Sequence, residues 1–532
     1  MSRMKQGIGL ALSAIVAAGV IPSLGVAGAA GAAPAAKATQ VQAPVPKITW
    51  TSCGDDLPGV CATALAPLDY DHPNGPAILL DLRKVPAKQQ SRKLGSLFVN
   101  PGGPGGSSTG FAPWAAQLLG PTVAARYDVI GVDPRGVGEH SQMVCKNANP
   151  VPPFLMTPYP ETVAQSKIAF RSAEYARSAC TRNPSPIVRH MSTADTARDM
   201  DLIRQAVGDP QLNYYGISYG TQLGSTYASM FPSRVGRFAV DAVLDPVAWS
   251  TGGPSNLPAT QPFSTRLRSA KGASEALLAA LKECDRVGRS HCDLAPGASA
   301  KWAKMSAAAK AGTLTAGGEP LPYSVLIGGV LGYLYGQSYD GLDTTLQMIY
   351  DENFGTRARA GASALATLRA KADRVREAPY TSPLGQVQII SDAFMGVGCA
   401  DTRNPETREA WWNAGRAQDK LWPGFGSLWT WATPACAKYP ISTKTDTWFG
   451  PYGGATANPI LVVGNTYDPA TPYHGAQAVA GMFRGARLLT YNGWGHGALG
   501  NSCATAAFDR LYATGALPAR GAVCQLDRPL WG

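Results

Sequence analysis

The chain has 532 residues, of which 45% are hydrophobic and 16% charged, and this composition can fill a large buried core. The formal net charge is +11, but the lysines and arginines are dispersed without a basic block, so we expect no nucleic-acid partner. No apolar run of about 18 residues follows the N-terminal segment, so we expect no stable membrane association.

The first 36 residues have the pattern of a secretory signal peptide. Arg3 and Lys5 give a positive start, residues 7–20 are apolar, and small residues follow, with Ala-Gly-Ala at residues 27–29 as one cleavage-like triplet. A short membrane anchor is the alternative, and the short apolar run followed by Ala, Gly and Pro argues against it. We therefore predict a secreted protein.

The ten cysteines are an even number in a chain with an export signal, which favours disulfides over metal-bound thiolates. No Cys-x-x-Cys pair occurs, and we expect no metal site. Many connectivities are open to ten cysteines. Pairing nearest neighbours along the chain predicts Cys53–Cys61, Cys145–Cys180, Cys284–Cys292, Cys399–Cys436 and Cys503–Cys524.

From residue 50 to about residue 245, short apolar strands alternate with helical stretches. This alternation is typical of a parallel sheet covered by helices on both faces. The predicted elements are strands at residues 97–99, 127–132, 212–215 and 238–244, and helices at residues 193–206 and 221–230.

The strand–helix rhythm stops at residue 246 and resumes near residue 459, with strands at 459–464 and 486–491 and a helix at 504–512. An inserted, largely helical lid explains this order. The predicted organisation is a signal peptide at 1–36, a first part of the sheet domain at 37–246, the lid at 247–440 and the C-terminal part of the sheet domain at 441–532.

The strongest motif is Gly-Ile-Ser-Tyr-Gly at residues 216–220, which matches G-x-S-x-G between a predicted strand and a predicted helix. In this context the motif predicts a nucleophile elbow with Ser218 as nucleophile. Small residues on both sides of the turn let strand and helix pass closely, and the helix N-terminus lies beneath the developing negative charge. We therefore predict an α/β-hydrolase fold with a mostly parallel central sheet.

A serine nucleophile needs a base and an acid, which follow it in the chain order Ser, Asp or Glu, His in this fold. His496 lies in a glycine-rich loop after a predicted strand and is the predicted base. Two other histidines follow Ser218 in the chain. His291 falls in the lid, and His474 lies only six residues after the best acid candidate. Asp468 follows the strand at 459–464 and is the predicted acid. Asp245, after the earlier strand, is the alternative acid.

The developing oxyanion needs two N–H donors. The backbone of Tyr219 is one candidate, and either Gly102 or Gly103, in the loop Asn-Pro-Gly-Gly-Pro-Gly-Gly-Ser at residues 100–107, is the other. A phosphate-binding loop is a weak alternative because the Gly-Lys-Ser/Thr ending is missing. Asp133 and Arg135, after the next strand, are interpreted as supports of the loop architecture.

With these residues identified, the chain resembles the secreted tripeptidyl aminopeptidases of actinobacteria, which are related to the prolyl aminopeptidases. The resemblance covers most of the mature chain and is carried by residues 100–107, 133–138, 216–224, 468–473 and 495–496. It implies release of short peptides, tripeptides above all, from free N-termini through an acyl-enzyme, without a metal or cofactor. It implies a peptide substrate as partner, and we expect a monomer.

An exopeptidase must hold the substrate ammonium, and a buried carboxylate suits that task. Asp392 and Asp401, on either side of Cys399, are the candidate anchors, although the sequence favours an ordinary polar or capping role for each of them. Two other functions stay open. An esterase can use the same three residues, and a non-catalytic binding protein can keep the fold, although such proteins commonly lose one of the three.

Overall fold

The computed structural model describes residues 41–531, except 55, 148, 183–184, 340, 356–360, 376–387, 391–392 and 440–445. The predicted signal peptide and Asp392 therefore lie outside the described residues. Within the described residues, the search for a helix long and apolar enough to cross a bilayer finds none.

A ten-stranded sheet forms the centre of the fold, in the order β1-β2-β3-β5-β4-β7-β8-β13-β15-β16. All strands from β5 to β16 in that order are parallel, whereas β1, β2 and β3 add an antiparallel edge beside β5. The mostly parallel sheet is as predicted. The strands are β1 (Thr51–Ser52), β2 (Val60–Pro67), β3 (Ala77–Val85), β4 (Gly95–Asn100), β5 (Tyr127–Val132), β6 (Cys145–Asn147), β7 (Leu212–Ile217), β8 (Val235–Asp241), β9 (Thr315–Ala316), β10 (Glu319–Pro320), β11 (Gln388–Ile390), β12 (Gly454–Ala455), β13 (Ile460–Tyr467), β14 (Phe483–Arg484), β15 (Arg487–Trp494) and β16 (Val523–Gln525).

The central strands are buried on both faces, which explains their nearly continuous apolar runs. Every residue of β5 is buried. Neighbouring residues of β4 point to opposite sides, so that Leu97 belongs to one apolar core and Phe98 to another. The sheet is therefore a middle layer between two helical layers.

The helices divide between those two layers and the lid. One layer packs α4, α5 and α17 on the sheet, and the opposite layer packs α1, α2 and α18. The helices are α1 (Ser108–Leu118), α2 (Pro121–Arg126), α3 (Val163–Arg182), α4 (Thr193–Ala206), α5 (Tyr219–Met230), α6 (Pro246–Ser250), α7 (Leu257–Thr260), α8 (Phe263–Arg266), α9 (Ser269–Val287), α10 (Ala298–Lys310), α11 (Tyr323–Leu334), α12 (Leu342–Phe354), α13 (Gly361–Val375), α14 (Ala393–Ala400), α15 (Arg408–Leu421), α16 (Phe425–Thr430), α17 (Tyr473–Met482) and α18 (Ser502–Thr514).

A third apolar core lies within the helical segment between β8 and β13. It is formed mainly by α9 to α13 with α15 and α16, in accord with the helical character expected for residues 247–440. Residues from outside that range join it. Tyr159 and Trp531 are part of this core, and Glu161 accepts a hydrogen bond from Ser324 N at 2.9 Å.

Five disulfides join all ten cysteines in the nearest-neighbour pattern, so the predicted pairing is confirmed. Two of them close loops of moderate length. Cys145–Cys180 ties β6 to α3 with a sequence separation of 35, and Cys399–Cys436 ties α14 to a short turn with a separation of 37. Such links restrict the unfolded chain and are typical of proteins that function in oxidising surroundings.

Candidate active site

Ser218 lies on the sharp turn between β7 and α5. Its backbone has φ 59° and ψ −127°, in a region that non-glycine residues rarely adopt. The turn is held by a hydrogen bond from Ser218 N to Asp241 O at 3.0 Å. The serine hydroxyl therefore sits at the N-terminus of a buried helix, as the elbow motif predicts.

Two glycines of the motif are required by close contacts between backbones. A Cβ atom at Gly216 would lie 2.4 Å from the carbonyl oxygen of Gly220. A Cβ atom at Gly220 would lie 2.7 Å from the carbonyl oxygen of Asn100 on β4. A larger residue at Gly216 would push α5 away from β7, and one at Gly220 would push α5 away from β4.

The structure brings Asp468 and His496 together. His496 Nδ1 lies 3.0 Å and 3.1 Å from the two Asp468 carboxylate oxygens. Asp468 is 0% exposed, and its carboxylate also accepts hydrogen bonds from Ala470 N at 2.9 Å, from Thr471 N at 2.8 Å and from the Thr471 hydroxyl at 2.9 Å. These donors fix the carboxylate in its orientation toward the imidazole.

Opposing influences act on the pKa of His496. Burial lowers this pKa, but the charge and hydrogen bond of Asp468, with a smaller contribution from Asp241, outweigh burial and raise it above its ordinary value. The alternative acid, Asp245, is placed differently. Its side chain caps α6 by accepting hydrogen bonds from Val247 N at 2.9 Å and Ala248 N at 3.1 Å.

Asp241, at the end of β8, connects the serine turn with the histidine loop, and the sequence analysis missed it. Its carboxylate accepts hydrogen bonds from Ala498 N at 2.9 Å and from the Tyr215 hydroxyl at 3.0 Å. Burial raises the pKa of Asp241 to about 6. An aspartate directly after the apolar run 238–240, in the strand next to the elbow strand, was the available signal.

The loop after β4 lies directly against the serine turn. A Cβ atom at Gly102 would be 2.7 Å from Ser218 Cβ and 2.9 Å from Tyr219 N. Tyr219 N is in the first turn of α5, where backbone N–H groups lack partners within the helix. The structure thus places two of the three predicted oxyanion residues, Gly102 and Tyr219, at the serine turn.

The two glycine candidates differ in the state of their N–H groups. Gly102 is buried and its N–H donates to Asn100 Oδ1 at 3.0 Å. Gly103 is exposed, and its N–H has no hydrogen-bond partner among the described residues. This difference favours Gly103 as the donor.

Asp133 and Arg135 support the surrounding loops, as interpreted from the sequence. Asp133 accepts hydrogen bonds from Thr109 N at 2.9 Å and from the Ser107 hydroxyl at 3.1 Å, which fixes the end of the glycine loop. Arg135 forms a buried two-pronged ion pair with Asp199 at 2.8 Å and 2.6 Å.

Asp401 is 3% exposed and lies near the Tyr219 side chain. Its carboxylate accepts hydrogen bonds from Thr193 N at 2.9 Å and from the Thr193 hydroxyl, which in turn lies 2.5 Å from the Tyr219 hydroxyl. Burial raises the pKa of Asp401 to about 7. The carboxylate is thus already bonded within the protein, and its role as an ammonium anchor stays a prediction.

Comparison with known proteins agrees with this geometry. Residues 95–271 match the family model described as alpha/beta hydrolase fold, and residues 422–524 match the one described as TAP-like protein. Tripeptidyl aminopeptidase of Streptomyces coelicolor is 28% identical over 505 residues, which cover 90% of this chain and 86% of that protein. The chain belongs to the tripeptidyl aminopeptidase family of α/β-hydrolases.

Other relatives in this family carry different names. Serine protease Hip1 of Mycobacterium tuberculosis is 28% identical over 501 residues, which cover 90% of this chain and 91% of that protein. Carboxylesterase B of Mycobacterium tuberculosis is 29% identical over 523 residues, which cover 91% of each chain. Together with the match to the α/β-hydrolase family model, these relatives show that this chain is a serine hydrolase.

Proposed function

We propose that this protein is a secreted serine exopeptidase that releases short peptides, with tripeptides as the expected length, from free N-termini. The observation that carries the proposal is the linked geometry of the site: Asp468 holds His496, and Asp241 joins the histidine loop to the backbone of Ser218. The tripeptidyl aminopeptidase relative supports the choice of a peptide substrate. The five disulfides support an extracellular location.

In the proposed mechanism, Ser218 Oγ attacks the scissile carbonyl carbon while His496 Nε2 takes the hydroxyl proton. The carbonyl oxygen becomes negatively charged and accepts hydrogen bonds from Tyr219 N and Gly103 N. Asp468 keeps the imidazole in the correct tautomer through Nδ1 and stabilises the imidazolium that forms.

The tetrahedral intermediate then collapses. The C–N bond breaks, His496 gives its proton to the leaving amine, and the peptide fragment stays bound to Ser218 as an ester. A water molecule, deprotonated by His496, attacks this ester and releases the fragment. No step uses a metal or a cofactor.

The ammonium anchor separates an exopeptidase from a general hydrolase. We propose Asp392 and Asp401 as candidates, and the contacts of Asp401 with Thr193 favour Asp392. Asp392 precedes Ala393, and a Cβ atom at Gly105 of the oxyanion loop would lie 3.2 Å from Ala393 Cβ. The start of α14 therefore borders the site.

The carboxylesterase relative makes ester hydrolysis the second candidate function, because the same residues serve both reactions. A matched substrate set decides between them: free-amine tripeptide anilides, their N-acetylated counterparts, single-residue anilides and short-chain esters, with Ser218→Ala as the blank. We expect turnover of free-amine tripeptides only, and none by the variant. Turnover of esters while all anilides are inert would replace the peptidase proposal with the esterase one.

A further inference from the structure

The histidine loop, residues 495–499, is held on one side by the sheet domain. Asn465 Nδ2 donates to Gly495 O at 2.9 Å and to Gly497 O at 2.8 Å. The Asp241 carboxylate accepts from Ala498 N on the same side. These bonds use the carbonyl oxygens of Gly495 and Gly497 and the N–H group of Ala498. Other backbone groups of the loop, such as His496 N and Leu499 O, need hydrogen-bond partners from another part of the protein.

A second set of contacts of the loop comes from residues 335–337, which follow α11 in the helical insertion. Tyr335 O accepts a hydrogen bond from His496 N at 3.0 Å. Gln337 Nε2 donates to Gly497 O at 3.0 Å and to Leu499 O at 3.2 Å. A Cβ atom at Gly495 would lie 2.5 Å from Gly336 O, so the two backbones are in direct contact.

The Tyr335 side chain also meets the imidazole. The rings of Tyr335 and His496 are arranged edge to face, with centroids 5.2 Å apart and an interplanar angle of 69°. Tyr335 is 38% exposed, and its ring contacts the partly buried base from the solvent side. A ring in this position restricts rotation of the imidazole.

Residues 335–337 are anchored in the insertion on both sides. Leu334 and Tyr339 are each 0% exposed within its apolar core. Tyr339 packs edge to face on Trp531, with centroids 5.9 Å apart. A shift of this core would therefore move residues 335–337, and with them the backbone of His496.

We infer that residues 335–337, here named the lid strap, position the catalytic base, with Gln337 as a positioning residue that couples the helical insertion to His496. The inference rests on the proposed function, since it assigns His496 as base. Removal of the Gln337 amide leaves Gly497 O bonded to Asn465 but deprives Leu499 O of its described donor. The loop keeps its fold and loses its exact orientation, which affects the rate more than binding.

The test compares Gln337→Met, which keeps length and removes the donor, with Gln337→Lys, which restores a donor. Gln347→Met is the matched control, because Gln347 lies on α12 of the same insertion and bonds to Asp351 instead of the histidine loop. The readouts are the rate of Ser218 labelling by a fluorophosphonate, which needs the base but no peptide, and kcat and KM on a tripeptide anilide.

We expect Gln337→Met to lower both the labelling rate and kcat about tenfold with KM within about twofold, since misplacing a catalytic group mainly affects the rate. Gln337→Lys should recover part of the loss, and Gln347→Met should match the wild type. Tyr335→Ala, which keeps the main-chain acceptor, provides a second variant if Gln337→Met folds poorly, and should also slow labelling.

Equal labelling rates in the wild type, Gln337→Met and Tyr335→Ala would overturn the inference, as would a loss in Gln337→Met that Gln337→Lys does not recover at all. Failure of the proposed function looks different. If the exopeptidase proposal fails, the wild type is labelled at Ser218 but does not turn over the tripeptide anilide. If Ser218 is not the nucleophile, the wild type is not labelled, or Ser218→Ala is labelled as fast as the wild type.

Discussion

The backbone oxygen of Asp241 accepts a hydrogen bond from Ser218 N at 3.0 Å, while the carboxylate of the same residue accepts one from Ala498 N at 2.9 Å. One buried residue thus contacts both the serine turn and the loop that carries His496. The distance between nucleophile and base depends on this bridge, because the two residues come from different strands of the sheet.

Substitution of Asp241 should therefore lower activity without a change in any proposed catalytic group. In Asp241→Ala the buried Ala498 N–H and Tyr215 hydroxyl lose their acceptor, which costs about 1–3 kcal/mol for each unpaired group. We expect kcat to fall about tenfold or more, since the histidine loop loosens, and urea unfolding to show reduced stability.

Asp241→Asn serves as the control for this prediction. The amide oxygen can still accept from Ala498 N, so stability should recover largely and kcat partly. An Asp241→Ala variant that is destabilised but has wild-type kcat per folded molecule would show that the bridge is only structural.

The raised pKa of His496 determines the acid side of the pH profile. The imidazole must be neutral to take the serine proton, and Asp468 stabilises its charged form. We therefore expect kcat/KM to rise with pH along a limb whose midpoint lies above the ordinary histidine value of about 6.5.

In Asp468→Asn the imidazolium loses its partner, so this limb should move to lower pH while kcat falls by about 10⁴, as expected when the base adopts the wrong tautomer. The measurement is kcat/KM from pH 5 to 9 for both proteins. An unchanged midpoint in the variant would show that another group titrates on this limb.

Asn100 fixes the backbone of the oxyanion loop by two side-chain hydrogen bonds. Its Oδ1 accepts from Gly102 N at 3.0 Å and its Nδ2 donates to the Ser108 hydroxyl at 3.1 Å. In Asn100→Ala, Gly102 loses its acceptor and the neighbouring Gly103 N–H loses its fixed direction, so we expect kcat to fall about 10- to 100-fold, at or below the loss of one oxyanion donor.

Ser108→Ala is the matched control. It removes the hydrogen bond that Asn100 donates to Ser108 and leaves the hydrogen bond that Asn100 accepts from Gly102 N. Its kcat should stay within about twofold of the wild type, as expected for a group outside the oxyanion site. Equal losses in both variants would indicate a general packing defect of the loop.

The sequence was sufficient for the parts of the site that follow local rules. The elbow around Ser218 was predicted because its glycines reflect contacts between adjacent elements, and Asp468 and His496 follow strands whose ends meet at one sheet edge. The start of α5 at Tyr219, two residues before the predicted start, reflects the strained turn itself.

The parts that depend on distant residues were not predicted. Gln337 lies 160 residues from Gly497 in the chain, and no motif marks it. The packing of Tyr159 and Trp531 in the core of the insertion is likewise invisible in local periodicity, since both residues are far from that segment in sequence. Such contacts depend on strand order and lid placement, which the sequence pattern does not specify.

The ammonium anchor gives the last prediction. A carboxylate that binds the substrate ammonium contributes about 1.5–3 kcal/mol, so its loss should raise KM about 10- to 100-fold for free-amine tripeptides. Asp392→Asn should show this change and should leave turnover of N-acetylated or ester substrates as it was. Asp401→Asn should instead lower kcat for every substrate, because Asp401 supports Thr193 and, through it, Tyr219.

The measurement is kcat and KM of Asp392→Asn and Asp401→Asn on matched substrates with a free amine and with an acetylated amine. If Asp401→Asn raises KM for free-amine substrates alone while Asp392→Asn changes nothing, the anchor is Asp401, and the bonds to Thr193 then serve to position a binding carboxylate. If neither variant distinguishes the free amine from its acetylated form, the ammonium is held elsewhere, and the exopeptidase proposal loses its proposed anchor.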